Sequence, residues 1–138
     1  MTDFRFETDL AVRYRDLDPL GHVNNAVYAS YMEQARTRYL KEVLGTPPAD
    51  VQAVIAHIEI DFKRSIEGDD DVVVGVRTTD LGASSITMEY EIRAGDTVSA
   101  TGETVMVAVD ADGTPVSVPE STREALRAYE GSLAAAGE

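Results

Sequence analysis

Cysteine is absent from the 138-residue chain. That removes disulfide staples, thiolate metal sites and cysteine nucleophiles together. No apolar run approaches the roughly 20 residues of a membrane-spanning helix, and residues 1–10 carry charges where a secretory leader needs an apolar stretch. A soluble, cytoplasmic protein is the expectation. Positive charge is scarce as well. Twelve basic residues, Lys41 and Lys63 being the only lysines, stand against twenty-five acidic ones, for a net charge of −13. A field of that sign repels nucleic acid and anionic membrane, so neither is expected as a partner. Surplus carboxylate with little lysine suits a salt-loaded, halophilic cytoplasm, where the Debye length shrinks to about 3 Å at 1 M and self-repulsion is screened. Internal repeats, low-complexity tracts and interdomain linkers are also lacking. What is present, 43 % hydrophobic residues on a chain of one-domain length, predicts a single packed domain over 1–138.

Hydrophobic periodicity divides that domain. Phe4, Phe6, Leu10, Val12 and Tyr14 share one parity, which predicts a half-buried strand over 4–14. Residues 15–25, RDLDPLGHVNN, hold Pro19, Gly21 and two asparagines and read as a structured loop. From Ala26 to about Leu44 the apolar and aromatic residues Tyr28, Tyr31, Met32, Ala35, Tyr39, Val43 and Leu44 fall at three- and four-residue steps. Gly45, Pro47 and Pro48 end the run. The pattern predicts a helix of about five turns, N-capped by Asn24 or Asn25. Four strands follow, over 54–62, 72–81, 85–93 and 97–109. The first puts Val54, Ala56, Ile58, Ile60 and Phe62 on one face, and Gly95-Asp96 makes a hairpin turn. Ser121-Thr122-Arg123-Glu124 has the form of a capping box opening a terminal helix to about Ala135. Consecutive strands predict an antiparallel meander, and the striped helix must bury its face against it. The fold class is α+β, a curved antiparallel sheet wrapped around one long helix.

The polar residues that bear chemistry gather at 13–36, RYRDLDPLGHVNNAVYASYMEQAR. A helix beginning at 25–26 offers unpaired backbone N–H groups and the positive end of its dipole. Pro19 biases Asp18 toward an extended conformation, so a loop that folds back brings its carboxylate beside that helix start. A carboxylate next to such donors suits acyl transfer, which needs a nucleophile or base together with donors where the carbonyl oxygen becomes negative. A loop or capping role is the plainer reading of any Asp beside Pro and Gly. Two separated histidines, His22 and His57, with no clustered carboxylates make no metal-ligand pattern, so no metal is expected. His57 falls on the parity opposite the apolar face of its strand.

The D-x-D-x-x-G-H-V-N-N loop leads into an aromatic-rich helix with Glu33 and Arg36. Further on stand I-E-I-D-F-K-R at 58–64 and Gly68-Asp69. Together they resemble the hotdog-fold acyl-CoA thioesterases of the 4-hydroxybenzoyl-CoA thioesterase-like family, over about residues 4–118. The resemblance implies a hotdog fold and hydrolysis of acyl-CoA thioesters to free acid and coenzyme A. Coenzyme A is then part of the substrate and no separate cofactor is needed. It implies Asp18 as the catalytic carboxylate, nucleophile or general base, and the backbone amide of Asn25 as oxyanion donor. His22 becomes an auxiliary residue. The related plant acyl-carrier-protein thioesterases use a histidine here with an Asp and an Asn, and Leu20 stands where that Asn would be. Gly82, Ser84 and Ser85 would contact the thioester and pantetheine arm of a neighbouring subunit's site. Lys63 and Arg64 are the cationic pair best suited to the phosphates of coenzyme A.

Asp16 is expected to be structural, pointing away on strand parity. Glu33 is the fallback carboxylate, otherwise a salt-bridge partner of Arg36 at i+3. Tyr28, Tyr31 and Met32 belong mainly to the core. Two other activities stay open, a hotdog dehydratase or hydratase and a non-catalytic acyl-CoA-binding module. One short sheet around one helix leaves an edge and an apolar face uncovered, so a homodimer or homotetramer is expected.

Overall fold

The computed structural model describes residues 4–45 and 52–131. β1 (Phe6–Leu10) leads through a single 3-10 turn at Tyr14–Asp16 to α1 (Val27–Leu44). Then come β2 (Ala53–Phe62), β3 (Val72–Leu81), β4 (Ser85–Ala94), β5 (Thr97–Ala108) and α2 (Glu120–Glu130). All strand pairs are antiparallel, in the order β1-β3-β4-β5-β2. The α+β expectation and the helix-wrapping sheet hold.

Five expectations are corrected. The first strand stops at Leu10, and Tyr14, placed on its buried parity, is 92 % exposed because the 3-10 turn has ended the alternation. The meander holds for β3-β4-β5, but β2 lies beyond β5 at the far edge. Residues 63–71 between β2 and β3 are too long for a tight hairpin. They carry the fully buried Ile66, whose carbonyl accepts the Val23 N–H at 2.8 Å, so this segment packs under the loop before α1. Within β2 a bulge falls between Ile55 and His57. The extra residue, Ala56, switches the parity. Ile55, Ile58, Ile60 and Phe62 therefore share the face of the buried β5 residues, while Val54 turns to the other side with His57, Glu59 and Asp61. The capping box at 121–124 does not form, because α2 begins at Glu120 behind Pro119 with no side-chain cap. The proline stop at 47–48 lies outside the described residues, whereas α2, expected to run to about Ala135, ends at Glu130 with Gly131 as its C-cap at φ +74°.

The core forms where α1 meets the sheet. Tyr28, Tyr31, Met32, Ala35, Tyr39 and Leu40 are its buried face, set against Val74, Val76, Met88, Tyr90, Ile92 and Ala100. Gly102 permits the close approach at β5, since a Cβ there would lie 2.8 Å from Met32 Cε. The cover stops short of the β2 edge, where Ile55, Ile58 and Phe62 are 39 %, 45 % and 49 % exposed.

Candidate active site

The loop before α1 folds into a small hairpin. Leu17 and Val23 form an antiparallel bridge, and the Asp18 N–H donates to the His22 carbonyl at 2.7 Å. Gly21, at φ +83°, turns its tip, a backbone state that suits glycine. The Asn24 N–H donates to the Asp16 carbonyl at 2.8 Å, so the chain returns to its own start just ahead of the helix. The half-buried Asp18 lies on this hairpin, two residues from the Asp16–Asn24 contact that precedes α1.

Its two carboxylate oxygens differ. Oδ1 accepts the backbone N–H groups of Leu20 at 2.9 Å and His22 at 3.1 Å, while Oδ2 has no hydrogen-bond partner among the described residues. A carboxylate oriented through one oxygen and unspent at the other can attack an electrophile or take a proton from water.

The helix start is equally unspent. Neither asparagine sits at the N-cap, which is Ala26. Asn24 acts one residue earlier, its side chain accepting the Ala26 N–H at 2.8 Å and its carbonyl the Val27 N–H at 2.9 Å. The exposed Asn25 keeps a backbone N–H with no acceptor among the described residues.

Sequence reading missed Glu67, which looked like part of an acidic turn. His22 Nε2 lies 3.1 Å from Glu67 Oε2, and the two residues also form a backbone bridge. No local spacing signals a contact between residues 22 and 67, since it arises from the crossing segment that packs under the loop. Lys63 and Arg64 leave β2 nearby. Both N–H groups donate to the Ser99 carbonyl, both side chains are exposed, and the Tyr28 hydroxyl of α1 lies 3.5 Å from the Arg64 carbonyl.

Gly82, Ser84 and Ser85 do not join this group within one chain. They sit beyond the other end of β3, a ten-residue strand, about 30 Å away at ~3.3 Å per residue. There the Gly82 carbonyl accepts from Arg123 at 2.7 Å, the Ser84 carbonyl accepts from the Ala108 N–H at 2.8 Å, and Ser85 Oγ fills the space a side chain at Gly82 would take.

Asp16 is buried and bonded to Arg13 and Tyr31, the structural role expected of it. Glu33 is exposed and forms no bridge to Arg36, whose guanidinium instead donates to the Tyr90 hydroxyl at 3.1 Å. His57 lies on the face of β2 turned away from α1. The fold, unlike the sequence, gives it carboxylate neighbours, for its ligand atoms and those of Glu59 and Glu103 lie within 4.8 Å of one another. That group is remote in kind and place from the Asp18 loop.

Among the described residues no helix is long and apolar enough to cross a membrane. The thioesterase-like superfamily profile matches residues 12–126. A thioesterase from Thermus thermophilus, crystallised with coenzyme A and zinc, is 45 % identical. It superposes with a TM-score of 0.87 over 95 % of this chain and 98 % of its own. A predicted thioesterase from Bacillus stearothermophilus is 30 % identical, with a TM-score of 0.82 over 90 % of this chain and 95 % of that one. A chloroplast acyl-acyl carrier protein thioesterase from Arabidopsis thaliana is 31 % identical over 130 residues, covering 89 % of this chain and 67 % of that protein.

Proposed function

The chain belongs to the thioesterase-like superfamily, and on that premise we propose that it hydrolyses acyl-CoA thioesters to a free acid and coenzyme A. The observation that carries this reading is the Asp18 carboxylate, pinned through Oδ1 and free at Oδ2, beside a helix start whose Asn25 N–H is unspent. Oδ2 either attacks the thioester carbonyl carbon or takes a proton from a water that does so. As the carbonyl oxygen becomes negative, the Asn25 N–H and the dipole of α1 stabilise it. The C–S bond then breaks and the thiolate leaves as the free thiol of coenzyme A. On the nucleophilic route, water afterwards cleaves the acyl–Asp18 anhydride. His22 steadies the loop through its bond to Glu67, and Lys63 and Arg64 meet the phosphates of coenzyme A. The 45 % identical protein crystallised with coenzyme A supports that carrier.

The enzyme acts as a homodimer formed through β2. This edge strand has an unpaired backbone side and an uncovered apolar strip, Ile55, Ile58 and Phe62, and antiparallel pairing about a two-fold axis covers both. It also brings the Gly82–Ser85 loop of one copy toward the Asp18 end of the other.

The test is thiol release from short, long and aromatic acyl-CoAs and from acyl carrier protein thioesters, in low and multimolar salt. A chain without cysteine adds no thiol background. Asp18→Ala is expected to lower turnover by about 10²–10⁴-fold while the dimer persists. Undiminished turnover would move the carboxylate role to Glu33. Tight acyl-CoA binding by the unaltered protein without release would make it a binding module.

A further inference from the structure

His57 and Glu103 lie on strands far apart in the chain, which is why no metal-ligand spacing shows in the sequence. The sheet joins them. β2 and β5 are neighbours, and their register sets Glu59 directly opposite Glu103, with His57 one pleat along on the same face, turned away from α1. His57 Nε2 lies 2.8 Å from Glu59 Oε1, and ligand atoms of His57, Glu59 and Glu103 all fall within 4.8 Å of one another. Donors bound to one ion at about 2.0–2.2 Å are themselves up to about 4 Å apart, so a change of carboxylate rotamer closes the set. Among the described residues no other set of three histidine or carboxylate groups converges in this way. The second histidine, His22, meets one carboxylate alone, that of Glu67.

The charge balance of this face points to a cation independently of those distances. Glu103 also stands opposite Glu89 of β4, so three carboxylates lie side by side on adjacent strands. Like charges directly opposite one another destabilise a sheet. At one end of the row Arg77 answers Glu89 with a contact of 2.7 Å. At the other end Glu59 meets only the imidazole of His57, and the half-buried Glu103 meets no cationic side chain among the described residues. The uncompensated charge therefore falls where the three donors converge. Beside it lies a hollow of about 240 Å³, whose lining includes Glu59, Asp61, Glu89 and Glu103. It is polar and has room for the waters that complete an ion's shell.

We infer that His57, Glu59 and Glu103 bind one divalent transition-metal ion of the zinc type, with water completing its coordination, at a site separate from the Asp18 loop. An imidazole among carboxylates suits zinc and its neighbours, whereas an all-oxygen set suits magnesium or calcium. The ion ties the edge strand β2 to β5 and offsets the repulsion between the two glutamates. This site stands apart from the thioesterase reading, since neither its residues nor its test involves turnover.

The test takes the whole chain, stripped with a chelator, and zinc chloride alone as the probe, read by calorimetric titration and by thermal unfolding. One zinc per chain should bind, and the unfolding temperature should rise with zinc concentration, because an ion that binds the folded chain stabilises it. His57→Gln and Glu103→Gln should each weaken binding by about tenfold or more, at least the loss that follows removal of an outer-shell partner. His22→Gln, which removes the other histidine, should leave binding unchanged, and magnesium chloride at the same concentrations should not bind. Without zinc, Glu103→Gln should unfold no earlier than the unaltered chain, since it relieves a like-charge contact, and that result separates a lost ligand from a lost fold. Zinc binding that survives His57→Gln, or that disappears in His22→Gln instead, overturns the assignment. Equal binding of magnesium does so too, as does weak uptake of several zinc ions that no single variant alters, which would mark an adventitious ion only. An absence of thioester turnover would sink the thioesterase reading and leave the zinc titration as it stands.

Discussion

Asp16 and Asp18 are two residues apart in one loop and belong to different regions of the molecule. Asp16 faces the core, 1 % exposed, with both oxygens engaged. Oδ2 accepts the Arg13 N–H at 2.8 Å and the Tyr31 hydroxyl at 2.9 Å, and Oδ1 accepts the Arg13 guanidinium at 3.1 Å. Asp18 faces the open side of the hairpin, with one oxygen held and one free. The residue type does not separate their roles; the number of unspent lone pairs does. A carboxylate whose lone pairs are all bonded orders the chain, and one with an oxygen to spare can react.

The comparison breaks most visibly in stability. Asp16→Ala strips the Arg13 N–H, the guanidinium and the Tyr31 hydroxyl of a shared buried acceptor, and should cost about 3 kcal/mol. Urea midpoints measured on Asp16→Ala and Asp18→Ala side by side should show that loss for the first and a smaller one, about 1 kcal/mol, for the second, which gives up two backbone N–H contacts on the open side of the loop. An equal loss for both would mean that Asp18 is also a structural residue, and would undercut its reading as the catalytic group.

The sequence assigned Asp16 correctly from a pattern that the fold does not have. Strand parity was to turn it away from the site, but the strand ends at Leu10, and a 3-10 turn and three donors bury the side chain instead. Long periodic runs were legible because their period repeats enough times to outweigh local exceptions. α1 was expected over 26–44 and spans Val27–Leu44, and β3 matches end to end. Single-residue events were not legible. The bulge at Ala56 exchanges Ile55 for Val54 on the concave face, and nothing in the alternation of 53–62 marks where it falls. A structured loop over 15–25 was legible from Pro19, Gly21 and the two asparagines, whereas Glu67 reached His22 through the crossing of 63–71, a tertiary event with no local sequence signal. The resemblance assigned Gly82, Ser84 and Ser85 to a neighbouring subunit's site, and within one chain they lie beyond the end of β3 remote from the Asp18 loop.

Acid sharpens the contrast with a smaller effect. Burial pushes the Asp16 carboxyl up, but hydrogen bonds from the Arg13 backbone and side chain and from Tyr31 outweigh it, and the net pKa lies below the ordinary value. The unfolded chain then binds the proton more readily than the folded one, so stability rises with pH through this range. The Asp16 contribution is complete above its unfolded pKa of about 3.9 and is lost as pH falls through the lower folded value. Stability measured from neutral pH down to about pH 2 should therefore fall less steeply at the acid end for Asp16→Asn than for the unaltered protein. Parallel curves would mean that the carboxylate's charge contributes nothing to the fold.

The smallest change tests whether the Asp16 region acts as one unit. Tyr31→Phe removes a single donor from Asp16 Oδ2 and leaves the Arg13 contacts, so its cost should be about 1 kcal/mol, the ordinary worth of one buried hydrogen bond. The ring stays buried in α1's inner face either way, so no cavity adds to the figure. If hydroxyl and carboxylate act together, Tyr31→Phe on an Asp16→Asn background should cost less than on the native one, with a coupling of about 0.5 kcal/mol or more in a double-mutant cycle. A coupling of zero would reduce the network to Arg13 and Asp16 alone. Asp18 should be indifferent in the same cycle, because no described bond joins it to Tyr31, and any coupling between those two would show that the structural and reactive halves of the loop are not separate after all.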